Sequence, residues 1–375
     1  MIEILQVNNK KLLKSFIDFQ YDLYAKDPNF VPELYISQRD LLNPKKHPFH
    51  KHAKVQYFLA KKDDKIVGRL SAHINYSHNE FYGNKEGFFG FFDCINDQEV
   101  ANALFKTAED WLKKEGMDTI VGPANFSTNE TVALLIDGYD RPPVVMMPYN
   151  YPYYRDLIEN YGFHKKIDLF AYWIDANVIS DRLRDLGQLT EERLNKKGIT
   201  IRQINFRSHF KSEVDKVYEI YNKAWSRNDG FVPMTKEEFY YSAKDLAMIA
   251  KKDFSYIALD GEKPVGFVLT ITDINQAFKH VKRGRLLPFG FINLLTHLNK
   301  IDNFRVILFG IIDEYRKKGI DIVFYTKSLQ TAQKRKMFQG EASWILENNT
   351  QMNSILESIG GKRYKTYRIF EKSIL

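Results

Sequence analysis

The chain has 375 residues, of which 44% are hydrophobic and 14% aromatic, so it can fill the cores of two domains and is not a disordered or low-complexity chain. Its net charge of +8 favours an anionic ligand or surface, but no nucleic-acid-reading motif accompanies the basic clusters, so nucleic acid is not an expected partner. A single cysteine cannot form an internal disulfide, and the N-terminus lacks the apolar run of a signal peptide, so we expect a cytoplasmic protein.

Hydrophobic periodicity in the first half predicts, in order, a strand, a helix, three strands, a helix, a strand, a helix and a strand. Apolar residues at helical spacing from Leu12 to Tyr24 predict the first helix, which ends before the Asp27-Pro28 pair. Gly116 is a usual helix stop and ends the second helix. The second helix and four of the predicted strands cover residues 100–115, 57–60, 66–74, 87–94 and 166–174.

The same order of elements recurs in the second half, because short segments of the first half reappear there in the same sequence. Residues 2–8, for example, recur as residues 199–205. A polar, helix-prone stretch at 176–198 separates the two copies. The sequence therefore predicts two tandem domains, 1–175 and 199–375, joined by a helical linker.

The two copies differ in where they carry extra residues. The offset between matching residues is 198 near Gly68 and again near Gly162, but it is 220 at Asp93. The second copy therefore carries an additional segment at roughly 276–303, and the first carries a compensating surplus at roughly 123–146. Extra segments on a shared scaffold are frequent sites of functional difference.

One segment of the second half, Arg316-Lys317-Lys318-Gly319-Ile320-Asp321, follows a predicted strand and opens a predicted helix. Together with the duplicated strand order, it resembles the coenzyme loop of the GNAT N-acyltransferase family, Arg/Gln-x-x-Gly-x-Gly/Ala. It matches at Arg316 and Gly319 and departs at Asp321, where the family carries Gly or Ala. The resemblance implies an α/β fold with a mixed (α+β) sheet, built as two tandem GNAT-like domains that each have a mostly antiparallel sheet flanked by helices.

The resemblance also implies acetyl-CoA or a longer acyl-CoA as co-substrate, with no metal. A helix N-terminus offers free N–H donors and a partial positive charge to a pyrophosphate, and basic side chains add to that charge. Gly319 is expected to let the phosphate approach closely because it has no side chain. The predicted coenzyme-binding residues are Gly310, Ile311, Ile312, Arg316, Lys317, Lys318, Gly319, Ile320 and Asp321.

The family comparison also suggests catalytic residues. Asn349 lies eleven residues before Gly360, a spacing at which GNAT sequences often carry an Asn near the coenzyme sulfur. The Tyr that often follows seven residues later, the family's usual proton donor, is Leu356 here. Glu347, at the end of the adjacent predicted strand, is the predicted base that takes a proton from the attacking amine.

The first half lacks the loop, because after Asp93 the chain has no glycine and carries further acids that would repel a pyrophosphate. Only the second half is therefore expected to bind coenzyme, with the first serving as a scaffold or as the acceptor-binding module. In the latter case Asn125, Tyr151 and Tyr153 are the predicted acceptor-binding residues.

The additional segment of the second half joins a basic cluster to the apolar stretch 285–298. That pattern is typical of an interfacial membrane helix, but it also suits a lid over an acyl chain or an insertion that packs on its own domain.

The function predicted from these features is an acyl-CoA-dependent N-acyltransferase, in which an amine attacks the thioester directly and takes an acetyl or longer acyl group. Two alternatives stay open. One is a catalytically inactive ligand-binding protein with the same fold. The other is an enzyme that acylates a long-chain (lipid) amine at the membrane surface.

Overall fold

A computed structural model describes residues 1–178, 180–226, 230–250 and 252–375. Over these residues the strands are β1 (Ile2–Gln6), β2 (Ala53–Lys62), β3 (Lys65–Asn75), β4 (Glu86–Cys94), β5 (Thr119–Gly122), β6 (Ala124–Asn125), β7 (Thr131–Val132), β8 (Leu134–Asp137), β9 (His164–Asp175), β10 (Ile199–Gln203), β11 (Tyr256–Asp260), β12 (Lys263–Thr272), β13 (Asn303–Ile311), β14 (Gln339–Leu346) and β15 (Lys362–Ser373). The α-helices are α1 (Lys10–Leu23), α2 (Tyr35–Leu41), α3 (Tyr76–Tyr82), α4 (Gln98–Lys114), α5 (Tyr154–Asn160), α6 (Asp181–Lys196), α7 (Phe210–Trp225), α8 (Lys236–Ile249), α9 (Asn275–Phe278), α10 (Gly290–Leu298), α11 (Ile320–Lys334) and α12 (Thr350–Ser358).

The chain forms two compact units, neither of which is continuous in sequence. The first unit consists of Met1–Phe170, Asn275–His297 and Lys365–Leu375, and the second consists of Ala171–Ile274 and Leu298–Tyr364. The repeated segments of the sequence predict contiguous domains, 1–175 and 199–375, instead. The difference arises because most of the additional segment and most of the last strand pack within the first unit.

The sheet of the first unit has the strand order β1-β2-β3-β4-β5-β15-β9. The pairs β1–β2, β2–β3, β3–β4 and β5–β15 are antiparallel, and the pair β4–β5 is parallel. The helix α4 covers this sheet with an apolar stripe, because Val100, Leu104, Phe105 and Leu112 recur at helical spacing and are fully buried. Asp97 caps the same helix by accepting hydrogen bonds from two backbone N–H groups of its first turn.

The sheet of the second unit has the order β10-β11-β12-β13-β14, followed by the last residues of β9. Here too one pair, β13 and β14, is parallel, and the pairs from β10 to β13 are antiparallel. The helices α7 and α11 pack on this sheet around a core that includes Ile220, Phe267 and Phe324. Each unit therefore has a mostly antiparallel sheet with one parallel pair at the corresponding place.

The stretch predicted as a linker forms α6, which belongs to the second unit. It packs on α11 so closely that a Cβ added to Gly187 would lie 2.4 Å from the Thr326 Oγ1 atom. A glycine is needed in α6 at this point because a side chain would hold the two helices apart.

The last strand is fixed to the first unit by a partly buried ion pair. Lys372 on β15 donates to the Glu109 carboxylate on α4 at 2.9 Å, and the Tyr161 hydroxyl donates to the same oxygen at 2.7 Å. Burial acts to raise the pKa of Glu109, but hydrogen bonds from Lys372, Tyr161 and Lys113 outweigh it and lower the pKa to about 2. The ionised form of Glu109 is therefore more stable in the folded protein than in the unfolded chain.

We expect Lys372→Met to lower the free energy of unfolding at pH 7 by about 1 kcal/mol, because it removes a charged hydrogen bond from a partly buried carboxylate. Because the pKa of Glu109 is lower in the folded protein, its ionisation stabilises the fold at pH values above the unfolded pKa of 4.5. This stabilisation is lost as the pH falls towards the folded pKa of about 2. Denaturant unfolding at pH 7 and at about pH 2.5 checks this.

Lys106→Met is the matched control, because its ion pair with Asp110 on the same helix is exposed and should contribute little. A Lys372→Met protein that lost the same stability at both pH values would contradict the role given to Glu109.

Candidate active site

The parallel strands β13 and β14 are paired over only part of their length. Their register runs from Asn303 opposite Gln339 to Val306 opposite Ala342. Ile307 then forms a bulge, because Val306 pairs with Thr270 on β12 and Leu308 pairs with the preceding Leu269. Bulges bend a strand locally, and β13 departs from β14 beyond this point.

A cavity of about 510 Å³ is lined by the separated ends of these two strands. Its volume lies within the range usual for small-molecule sites. All of its lining residues belong to the second unit. They are Ile174, Ala224, Trp225, Val268, Phe304, Val306, Ile307, Phe309, Gly310, Ile311, Arg316, Lys317, Asp321, Tyr325, Ser328, Leu329, Ala342, Ser343, Trp344, Ile345, Leu346, Asn348, Asn349, Gln351, Met352, Ile355, Leu356 and Ile359.

The charged part of the lining lies where β13 leads into α11. The Arg316 guanidinium donates to the backbone oxygens of Ile311 and Ala224, each at 3.3 Å, and lies 3.1 Å from the Asp313 carboxylate. Lys317 follows in the left-handed backbone region, with φ of 61°. Asp321, in the first turn of α11, is favoured there by the helix dipole. This end of the cavity thus carries two cations, a helix N-terminus and one carboxylate.

The rest of the lining is mostly apolar, with a few polar atoms set into it. Ser328 Oγ and Trp344 Nε1 are buried and have no hydrogen-bond partner among the described residues. Buried polar atoms are normally paired, so these two are suited to contacts with a polar group of a bound molecule. The cavity therefore fits a ligand that is anionic at one end and largely apolar beyond it.

The corresponding opening in the first unit is filled by the chain itself. There β4 and β5 pair only as far as Phe88 opposite Val121. The Asn125 side-chain oxygen then accepts a hydrogen bond from the Phe91 backbone N–H at 2.7 Å. Phe126, next in sequence, is 1% exposed and fills the adjacent space. The surplus segment of the first half thus supplies a plug where the second unit has a cavity.

No family model matches the chain. It is 40% identical to Protein YghO of Escherichia coli (strain K12) over 374 residues, which are 98% of this chain and 94% of that protein. It is also 36% identical to a protein named bacterial ceramide synthase from Caulobacter vibrioides (strain NA1000 / CB15N) over 386 residues, covering 100% of this chain and 98% of that protein. The chain belongs to the family of these two proteins.

The fold of this family member is shown by a solved tandem GNAT protein from the clavulanic acid biosynthesis pathway. The two chains have a TM-score of 0.59 at 10% identity, with coverage of 100% of this chain and 99% of that one. The predicted GNAT resemblance and fold class are confirmed. Among the described residues, no cluster of three or more His, Cys, Asp or Glu side chains could hold a metal ion. No described helix combines the length and apolar composition needed to cross a bilayer.

The cavity brings together part of the coenzyme site predicted from sequence. Ile312 and Ile320 are 3% and 0% exposed and belong to the hydrophobic core instead. The Lys318 ammonium lies 3.9 Å from the centre of the Tyr315 ring and is not in the cavity lining. The predicted residues that do line the cavity are Gly310, Ile311, Arg316, Lys317, Asp321 and Asn349.

Gly319 lies in the predicted loop, but the structure requires a glycine there because of contact with α6. Its φ is 95°, and a Cβ added to it would lie 2.5 Å from the Thr190 Cγ2 atom of α6. The missing side chain therefore faces α6, whereas the sequence interpretation assigned that space to a phosphate. A glycine at this position lets α11 begin beside α6.

The predicted catalytic residues lie near the N-terminus of α12. Asn349 lines the cavity, and its side-chain oxygen caps the helix by accepting from the Met352 N–H at 3.1 Å. Glu347 follows the last residue of β14 and is not part of the lining, although its neighbours Leu346 and Asn348 are.

Tyr325 is a cavity residue that the sequence interpretation missed. Its ring stacks on Phe309 at 5.0 Å, and its hydroxyl donates to the Met352 sulfur at 3.1 Å. Burial, with a smaller contribution from Asp321, raises its pKa above the usual value, so the phenol is neutral at pH 7. Its position four residues after Asp321 is the signal that places both on one face of α11.

The three predicted acceptor residues lie in the first unit and have partners there. The Tyr151 hydroxyl donates to the Leu23 backbone oxygen at 3.2 Å, and the Tyr153 hydroxyl donates to that of Cys94 at 2.7 Å. Asn125 is part of the plug. None of the three lines the cavity of the second unit.

We expect Gly319→Ala to lower the free energy of unfolding by about 1–3 kcal/mol, because it combines a strained positive φ with a contact that is too short. Adding Thr190→Ser removes the Cγ2 atom and should restore part of that loss, while the strain of the backbone remains. Denaturant titrations of both single variants and the double variant measure the two contributions. A Gly319→Ala protein as stable as the wild type would show that the fold does not require this glycine.

Proposed function

We propose that the second unit binds an acyl-CoA and transfers its acyl group to the amine of a long-chain lipid acceptor. The observation that carries the proposal is the cavity lined by the separated ends of β13 and β14, charged at one end and mostly apolar elsewhere. The tandem GNAT fold supports the reaction class, N-acyl transfer. A location in the cytoplasm, where acyl-CoA is made, fits this reaction.

The charged end of the cavity suits the coenzyme pyrophosphate. Lys317 and the free N–H groups of the first turn of α11 would receive phosphate oxygens, and Arg316 would add charge. The register of β13 with β14 ends at Val306, so β14 does not pair with the later peptide groups of β13 that face away from β12. Such groups would form hydrogen bonds with the amides of the pantetheine arm and with the thioester oxygen, which aligns the thioester for attack.

The apolar lining favours a long acyl group over acetyl. Phe304, Leu329, Ala342 and Ile355 all contribute to it, and acetyl would leave most of that surface without a partner. The relative named bacterial ceramide synthase supports the same choice, since a ceramide is a long-chain amino alcohol acylated on its nitrogen. The buried Ser328 and Trp344 groups are suited to an oxygen atom of such an acceptor or donor.

In the proposed reaction the neutral amine attacks the thioester carbonyl carbon. The C–N bond forms, the C–S bond breaks with its electron pair on sulfur, and one proton passes overall from the amine to the coenzyme thiolate. Glu347 remains the predicted base, and Asn349 is proposed to contact the coenzyme near its sulfur. The neutral phenol of Tyr325 is the proposed proton donor, taking the place of the Tyr that Leu356 replaces.

The departure at Leu356 also favours a second candidate, a protein that binds acyl-CoA without turnover. Leu356 is 1% exposed and can only contribute apolar surface. The two candidates differ in one measurement, the release of free coenzyme thiol when long-chain amines are supplied.

We expect isothermal titration calorimetry to detect binding of hexadecanoyl-CoA, and Lys317→Ala to weaken it by roughly three- to tenfold because one phosphate contact is lost. Lys318→Ala is the matched control, since its ammonium lies against Tyr315 and should leave the affinity unchanged. A thiol-release assay with a long-chain amine then separates transfer from binding alone. Equal effects of the two variants, or no heat with the wild type, would contradict the proposed site.

We expect Ala342→Leu to shift donor preference towards short acyl groups, because Ala342 lies where β13 and β14 part and a larger side chain narrows the cavity there. The affinity for hexadecanoyl-CoA should fall by about fivefold or more, with that for acetyl-CoA changed by less than about twofold. Melting temperatures check that the variant is folded. A uniform loss for both donors would mean that the acyl chain does not reach this point.

A further inference from the structure

The additional segment of the second half, most of which belongs to the first unit, is firmly attached along its inner side. Ala277 and Val281 are both 0% exposed. Arg283 lies 3.0 Å from Asp18 of α1 and also pairs with Asp22. The position of the segment is therefore defined by burial and by ion pairs on its inner side.

The outer side of this segment is apolar and exposed. Leu287, Phe289, Phe291, Ile292 and Leu295, here called the apolar face, are 82%, 70%, 51%, 56% and 49% exposed. Single exposed apolar residues are ordinary, but five within nine positions of one short, well-anchored segment are not. A surface of this kind indicates a partner that can bury it.

The charges beside the apolar face favour an anionic partner. Lys279 and Lys282 are exposed, and no acidic partner of either is found among the described residues. Arg285 is 42% exposed; its guanidinium lies over the Tyr35 ring and 3.2 Å from Asp18. A basic rim beside exposed Phe and Leu side chains is what surface-bound membrane helices present to anionic lipids.

We propose that the apolar face inserts into the headgroup region of an anionic bilayer, with Lys279 and Lys282 against the lipid phosphates. A second copy of the chain fits less well, because a two-fold contact through this face would bring the basic rims of two copies close together. The inference adds to the proposed function, since a lipid amine is presented at a membrane, but the binding itself does not depend on turnover.

Flotation with vesicles tests the proposal on the full-length chain. With phosphatidylcholine vesicles containing roughly 30% phosphatidylglycerol, the wild type should float, and Phe289→Asp/Phe291→Asp should reduce the bound fraction at least about tenfold. The matched control is Met248→Asp/Leu189→Asp, which changes two apolar residues that are 79% and 64% exposed elsewhere and should float like the wild type. Lys279→Gln/Lys282→Gln should weaken binding to the anionic vesicles and reduce its dependence on salt.

A wild type that stays at the bottom of the gradient, or a Phe289→Asp/Phe291→Asp protein that still floats, would overturn the proposal. So would a wild-type dimer in lipid-free buffer that this variant dissociates, since the apolar face would then bind a second copy. Turnover of a long-chain amine supplied below its micelle-forming concentration should be the same in wild type and variant. Absence of that turnover in both would refute the proposed function while leaving the flotation result to stand.

Discussion

The candidate site of the second unit depends on the separation of β13 from β14 after Val306 and Ala342. Parallel strands that part leave peptide groups that need other partners, because buried N–H and C=O groups are rarely left unpaired. The first unit meets the same requirement with its own chain, as Asn125 pairs with Phe91. Two copies of one fold thus differ in whether the opening between their parallel strands is filled by protein or left as a cavity.

A buried ion pair joins β13 and β14 just before the two strands separate. Arg305 and Glu341 lie opposite each other just before the strands part, are 2% and 0% exposed, and approach to 3.5 Å. Ser343 and Tyr364 donate hydrogen bonds to the same carboxylate. Breaking such a pair would leave an uncompensated buried charge, so the strands are firmly joined up to this place. The cavity therefore begins at a fixed position between the two strands.

Local patterns in the sequence predict much of this architecture, because periodicity, repeats and helix stops depend on neighbouring residues. The partner of the last strand could not be predicted in this way, since β9 and β15 have similar patterns and either could pair with the same neighbours. Gly319 was identified by motif, yet the packing that requires it involves Thr190, which is distant in sequence. The hydroxyl partners of Tyr151 and Tyr153 could not be predicted either, because the backbone oxygens of Leu23 and Cys94 that accept from them are distant in sequence.

The position of residues Lys365–Leu375 has a consequence for how the protein is made. These residues belong to the first unit, so the amino-terminal part of the chain leaves the ribosome without one strand of its sheet. The strand β5, which pairs with this segment, stays an open edge until these residues have been synthesised. A fragment that ends before Lys365 therefore lacks one strand of the first unit, and a substitution that weakens this strand destabilises the amino-terminal part of the chain.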